Sequence, residues 1–328
     1  MRESLIKLDT AKKVRVIIDT DAACEIDDQY AIAHALMSDK VDVVGIIAEH
    51  FGGISERNTM LKSKKEIEKI LTLMSIDHIP VFKGNIKALT SSNCINYPEI
   101  LDNYENIYSE GALFIIKECL RKDERPLFII AQGALSTIAS AILINPNIGN
   151  QAVCISIGGC HYPVGGFEFN YHNDPVAANI VMNSIMPVWQ VPEETYSQMQ
   201  ASIYELNQKV RPYGQLGQYL FNHLLEIQSQ MIQIVPSSRD LTVHEQQLSF
   251  PNGESWSFGD SCGLGIILCA NVGEYQVVPA PQIRDNCTYD FKKLTAKSEN
   301  HKLIRIYTCI NSRMILEDFF AKLAYHFG

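Results

Sequence analysis

The stretch VIIDTDAACEIDDQYAI, residues 16–32, begins as a β-branched run and then carries five acids within ten positions: Asp19, Asp21, Glu25, Asp27 and Asp28. The run before it suits a buried strand, and the apolar pattern after it suits a helix. Like charges crowded at such a junction raise one another's pKa unless a cation is present. One or two acids there are explained by helix capping, which is the plain reading of Asp27 taken alone. Capping does not account for five.

Working outward, the first half of the chain alternates strand-like and helix-like segments. VRVIID (14–19), VDVVGIIA (41–48), IPVF (79–82), PLFIIA (126–131), AVCISIGG (152–159) and PVWQV (187–191) read as strands. Residues 28–37, 56–74, 109–122, 134–144 and 174–183 read as helices, the last with Pro175 in its first turn. This alternation predicts an α/β fold with a mainly parallel central sheet flanked by helices on both faces. Residues 193–235 look largely helical, VVPAP (277–281) and LIRIYT (303–308) suggest late strands, and 310–326 a closing helix. With no repeat, low-complexity tract or evident linker, residues 1–328 are expected to form a single domain.

Composition narrows the function classes. A net charge of −9 argues against a nucleic-acid partner, which normally meets a basic face. The nine cysteines include no C-x-x-C pair, and several lie in apolar runs, so buried free thiols in a reducing compartment are expected. MRESLIKLDTAKK is too polar for a signal peptide, and no apolar stretch reaches the roughly 18 residues of a membrane span. The expectation is a soluble cytoplasmic protein with no membrane partner.

In parallel α/β sheets, sites form outside the carboxyl ends of strands, where Asp19 and Asp21 fall. Carboxylates without an accompanying Cys/His pattern suit a hard cation such as Ca²⁺ or Mg²⁺. The EF-hand spacing is absent, so such a site draws on distant segments.

At this point the sequence resembles the inosine–uridine-preferring nucleoside hydrolases, whose N-terminal signature is DTDPGxDDAxA. AQGALSTIASAI (131–142) resembles that family's TGPLTNLA segment, and ISIGGC (155–160) its strand ending in a Gly-Gly pair. FEFNYHNDPVAA (167–178) resembles AEFN…DPEAA, FGDSCGLG (258–265) the late aspartate segment, and IPVFKG (79–84) a less specific element. The pieces run in family order over roughly residues 14–265.

The resemblance implies a nucleoside hydrolase-like, Rossmann-like open sheet and a Ca²⁺-dependent cleavage of a ribonucleoside's N-glycosidic bond. It implies Asp21 as general base and metal ligand, with Asp28, the backbone carbonyl of Gln132 and Asp260 as further ligands. Asp27, Glu168 and Asn170 become ribose contacts. It also implies a nucleoside or other ribosyl substrate and a homodimer or homotetramer.

The chain departs from that pattern in four places. Five residues, AACEI, separate Asp21 from Asp27 where the family has three, and the added Glu25 is expected to point to solvent. AEHFGG (48–53) replaces an expected asparagine, leaving His50 as a substrate contact or a structural histidine. The segment from Gly159 to Glu168 is short and loses another asparagine; His161 and Tyr162 within it, and Ile157 just before it, are further candidate contacts. Gly259 stands where many members carry a histidine that protonates the leaving base. Tyr162, Trp189 and Trp256 are candidate stacking partners, with burial in the core the plainer reading of each tryptophan.

Bland alternatives apply elsewhere. FEFN alternates like any half-buried strand, and Asp260 suits a helix cap before SCGLGIIL. Two other functions compete: a haloacid dehalogenase-type phosphatase, suggested by DTD and GDS, and a nucleoside- or ribose-binding protein whose catalysis has decayed.

Overall fold

A computed structural model describes the chain except residues 3, 7, 53–57, 90–107, 232–252 and 292–300. In chain order its elements are β1 (Val14–Thr20), α1 (Asp27–Leu36), β2 (Val41–Ala48), α2 (Thr59–Leu73), β3 (Val81–Lys83), α3 (Glu110–Cys119), β4 (Leu127–Ala131) and α4 (Ser136–Ile144). Next come β5 (Val153–Ile157), α5 (Phe169–Asn173), α6 (Pro175–Asn183), β6 (Val188–Val191), α7 (Glu193–Tyr196), β7 (Gln200–Ser202), α8 (Ile203–Lys209) and α9 (Gly214–Met231). The rest are β8 (Ser255–Ser257), α10 (Ser261–Leu268), β9 (Gly273–Pro279), β10 (Gln282–Ile283), β11 (Tyr289–Asp290), β12 (Leu303–Ile310) and α11 (Ser312–Phe327).

Eight strands form the main sheet in the order β3-β2-β1-β4-β5-β6-β12-β9. All neighbours pair in parallel except β12 and β9. The chain leaves β1 towards β2 and β3, then returns to β4 on the other side and continues outward to β5 and β6. The reversal lies between β1 and β4, so a crevice opens beyond their carboxyl ends. Asp21 follows β1 and Gln132 follows β4 at that point.

Alternation along β1 divides the core. Val14, Val16 and Ile18 pack in one layer with α1, α2, α9, α10 and α11, whereas Ile17 packs in the other with α3, α4 and α6. Burial on both faces is why the strands read as continuous apolar runs.

The structure revises several expectations. The stretch from 193 is largely helical as expected, built from α7, α8 and α9 with the short strand β7 between the first two, and residues 232–235 lie outside the described residues. The helix expected from 56 is described only from Thr59. Only Val277, Val278 and Pro279 of VVPAP are in a strand, as the end of the antiparallel edge strand Gly273–Pro279. FEFN is not a strand; Glu168 caps a short helix that begins at Phe169, so the alternation was accidental. The described cysteines are all free, Cys119, Cys154, Cys262 and Cys287 buried and Cys309 exposed. Among the described residues no helix is long and apolar enough to cross a membrane.

Tyr30 on α1 lies between Phe258 and Phe319, at ring-centroid distances of 4.6 and 5.3 Å. Its hydroxyl is buried and finds no hydrogen-bond partner among the described residues. An unpaired buried hydroxyl costs stability that an isosteric apolar ring does not. Tyr30→Phe should therefore raise the unfolding free energy by about 1 kcal/mol in urea titration; a loss of that size would show that the hydroxyl is satisfied.

Candidate active site

The crevice beyond β1 and β4 contains a cavity of about 70 Å³. Asp21, Cys24, Glu25, Asp27, Asp28, Gln132, Ile157, Glu168, Phe169, Asn170, Tyr196, Gly259 and Asp260 line it. Six separate stretches of sequence thus meet at one place.

The acid loop is shaped by burial at its ends. Ala22 and Ile26 are sunk in the core, and the turn is closed by a bond from Cys24 N–H to the Asp21 carbonyl at 2.8 Å. The Gln29 amide donates to the Ala22 carbonyl at 2.6 Å and to the Glu25 carbonyl at 3.3 Å. Glu25 is therefore held half-buried over the cavity and does not point away into solvent, which corrects the expectation for it.

Asp27 and Asp28 open α1, but neither caps it: the N-cap position is Ile26, and no side-chain cap bond forms. Asp27 Oδ2 instead accepts from Asp260 N–H at 3.2 Å. Asp260 sits at the N-cap of α10 without making a cap bond. Ligand oxygens of Asp27, Asp28 and Asp260 all lie within 4.8 Å of one another. Thr20 Oγ1 donates to Asp28, and Asp28 and Asp260 are within hydrogen-bond reach of each other.

Asp21 is buried, and its Oδ2 has no partner among the described residues. A Cβ at Gly133 would stand 3.1 Å from both Cβ and Cγ of Asp21, so the glycine is what lets the carboxylate lie against the turn after β4. Gln132 donates from its side chain to the Asp260 carbonyl at 3.3 Å. That bond links the β4 turn to the α10 segment from 128 residues further on.

Glu168 meets four donors: the N–H groups of Gly159 (2.7 Å), Asn170 (3.1 Å) and Tyr171 (3.0 Å), and the hydroxyl of Tyr196 (3.0 Å). Gly159 has φ +78°, and a Cβ there would strike Gln190 and Tyr289, so the Gly-Gly strand end is a steric requirement. Asn170 donates to the Ile157 carbonyl at 2.9 Å.

Other candidates lie elsewhere. His50 is buried outside the cavity wall, with Nε2 2.8 Å from Ser136 Oγ, which donates to Asp174 at 2.6 Å. Burial pulls its pKa down to about 4. His161 is exposed beside Glu194 at 3.2 Å, and Tyr162 packs against Tyr289 and Phe291. Trp189 stacks under Arg305 at 4.3 Å, and Trp256 is buried in the core. Asp19 points to the opposite sheet face from Thr20, buried near Glu49, and does not line the cavity.

Tyr196, Phe169 and Cys24 line the cavity without having been singled out as site residues. The signal for Tyr196 was its place just after β6, at the same carboxyl edge of the sheet as Asp21.

Electrostatics shows what the cavity lacks. Burial and then repulsion from Asp28, Asp27, Glu25 and Glu49 raise the Asp21 pKa far above the ordinary carboxylate range. Burial and Asp27 push Asp28 up to about 8; burial, Asp27, Asp28 and Glu168 push Glu25 up to about 8; burial pushes Asp27 up to about 6. Asp260 rises by burial and by the charges of Asp27, Asp28 and Asp21. Each group prefers a proton because no positive charge is at hand. An all-carboxylate and carbonyl donor set with unpaired buried oxygens fits a hard divalent cation.

The sequence profile of the inosine-uridine preferring nucleoside hydrolases matches residues 16–293. The chain belongs to this family. Over 195 residues it is 27% identical to a pyrimidine-specific ribonucleoside hydrolase, RihA, of Escherichia coli O1:K1 / APEC, covering 53% of this chain and 58% of that protein. A RihA of Salmonella enteritidis matches to the same extent over 187 residues. The chain thus spans less than two thirds of these curated relatives. Among solved structures, a plant nucleoside hydrolase, PpNRh1, superposes with a TM-score of 0.72 at 16% identity, covering 94% of this chain and 98% of that one. A purine-preferring ribonucleoside hydrolase from Gardnerella vaginalis gives 0.70 at 17%, covering 95% and 98%. These likenesses establish the fold. The phosphatase alternative does not describe a chain of this family.

Carboxyl groups with folded pKa above the unfolded value contribute stability that is fully present below the unfolded pKa and is lost as pH rises through the folded one. That window runs from the ordinary carboxylate value of 3.8 up to about 6 for Asp27 and about 8 for Asp28. The chelator-treated protein should therefore gain thermal stability as pH falls from the top of this window to its middle. Asp28→Asn should flatten the dependence by removing one of the repelling charges. A melting temperature that falls steadily over the same interval would contradict the charge-crowding account.

Proposed function

We propose that this protein hydrolyses the N-glycosidic bond of a ribonucleoside, giving free base and ribose, and that it depends on Ca²⁺. The observation that carries this reading is the convergence of Asp27, Asp28 and Asp260 beside the unpaired Asp21 carboxylate in one cavity at the sheet's reversal point.

Asp21, Asp28, Asp260 and the Gln132 carbonyl would hold the cation. Asp27 belongs to the tightest carboxylate triad, so it stands close enough to take a ribose hydroxyl from the same spot. Bound there, calcium would supply the charge that fixes the sugar's diol and makes a water acidic near neutral pH.

The chain's own groups do the rest. Asp21 accepts the proton of the attacking water, for which its free Oδ2 is available. The water oxygen bonds to the anomeric carbon, and the bond to the base nitrogen breaks. Positive charge develops on the ribosyl ring, and the surrounding carboxylates stabilise it. Glu168 and Asn170 are fixed by their hydrogen bonds before substrate arrives, so orienting the ribose costs little rearrangement. Ile157 adds apolar wall. His50, His161 and Tyr162 lie outside the wall formed by the described residues and take no part in this reading. Assembly as a homodimer or homotetramer, and a cytoplasmic site of action, belong to the same proposal.

The test is ribose release from purine and pyrimidine nucleosides, with and without prior chelation. Release should be chelator-sensitive, and Asp21→Asn should lower kcat about a thousandfold, the scale of a lost general base. Chelator-insensitive release, or an Asn variant of ordinary activity, would remove the mechanism. Nucleoside binding without any turnover would favour the binding-protein alternative.

A further inference from the structure

Glu168 has no acceptor position left open. Its Oε2 accepts from Gly159 N–H at 2.7 Å and from Tyr171 N–H at 3.0 Å. Its Oε1 accepts from Asn170 N–H at 3.1 Å and from the Tyr196 hydroxyl at 3.0 Å. A carboxylate offers about four lone-pair sites, so four donors fill it. Three of them are main-chain groups fixed by the strand end and by the first turn of α5. The fourth, Tyr196, is a side chain that lines the same cavity. A sugar hydroxyl cannot add to Glu168 as a fifth donor.

The phenol is held where it is. Glu193 N–H donates to the Gly159 carbonyl at 2.9 Å, and the Thr195 hydroxyl donates to the Tyr307 carbonyl at 2.8 Å, so α7 is tied to the strand end and to β12. The Tyr196 ring lies against Gly259, where an added Cβ would stand 2.7 Å from Cδ2 and 3.2 Å from Cγ. The ring and a side chain at 259 exclude each other. Tyr196 thus takes the room that a side chain at 259 would need.

Having given its proton to Glu168, the Tyr196 oxygen is still an acceptor, and no described residue donates to it. Donation to a carboxylate makes that oxygen a stronger acceptor. In the proposed reaction the cation holds the sugar's diol. The 5′-hydroxyl is then the remaining hydroxyl of a ribonucleoside, and it needs an acceptor.

We infer that Tyr196 is a specificity residue: its phenolic oxygen accepts the hydrogen bond of the substrate's 5′-hydroxyl and passes the contact on to Glu168. The preferred substrates are ribonucleosides with a free 5′-hydroxyl. This inference rests on the hydrolase reading and deepens it.

The experiment measures base release from uridine and inosine, each beside its 5′-deoxy counterpart, on the calcium-loaded protein and on Tyr196→Phe. The parent protein should favour the 5′-hydroxyl compounds in kcat/KM. Tyr196→Phe should reduce that preference about tenfold, the scale of one hydrogen bond linked to a charged group. The loss should fall on KM more than on kcat, because the contact exists before and during bond breaking alike. Gly259→Ala, which displaces the ring, should reduce the same preference. An equal loss for hydroxyl and deoxy substrates would mark a merely structural role and overturn the inference. A preference that rises in Tyr196→Phe would overturn it too, since Glu168 would then take the hydroxyl itself. Calorimetric binding of the same pairs reads the contact without turnover: the 5′-hydroxyl compounds should bind more tightly, and equal affinities would contradict the inference. Base release from none of the four would overturn the hydrolase reading, with the binding comparison still deciding for or against Tyr196.

Discussion

Mutual repulsion of carboxylates at the carboxyl ends of β1 and β4 is the constraint around which this molecule is organised. Asp21, Asp27, Asp28 and Asp260 are brought together by main-chain features that have no other use for the charge. Gly133 admits Asp21 at close range, the first turn of α1 presents Asp27 and Asp28, and the Asp260 amide binds back to Asp27. None of the three clustered acids makes a helix cap with its side chain. The fold therefore carries an electrostatic cost that protonation or a bound cation relieves, a pattern characteristic of functional sites.

Rigidity is arranged around that cost. The sheet's two-sided burial fixes where β1 and β4 end, and the Gln132 amide ties the β4 turn to the Asp260 carbonyl. Glu168 is satisfied by three backbone N–H groups and one phenol before any ligand arrives. Beside the cavity, His50, Ser136 and Asp174 form a buried chain that also anchors α6 through the Asp174 cap.

Much of this was legible in the sequence, for identifiable reasons. Two-sided burial writes parallel strands as apolar runs, so β1, β2, β4, β5 and β6 could be placed within a residue or two. The acid cluster was visible because five like charges at a strand end have no structural excuse. The direction of Glu25 was not legible: it depends on Ala22 and Ile26 being buried at both ends of the loop and on Gln29 pinning its carbonyl. Tyr196 was hidden because α7, the helix it ends, is only four residues long and carries no side-chain cap to mark it. The strand alternative for FEFN stayed open in the sequence because period-two alternation over four residues is too short to separate a strand from a capped turn. His50 read as a possible contact from its place after β2, but the side chain turns into the layer beneath the sheet and meets Ser136.

The most direct measurement is a crystal structure of the protein soaked with calcium, with the ion located by its anomalous signal. The account predicts one ion in the cavity, bound by Asp21, Asp28, Asp260 and the Gln132 carbonyl, with Asp27 beside it. An empty cavity in saturating calcium, or an ion held elsewhere while these carboxylates remain paired to one another, would contradict it.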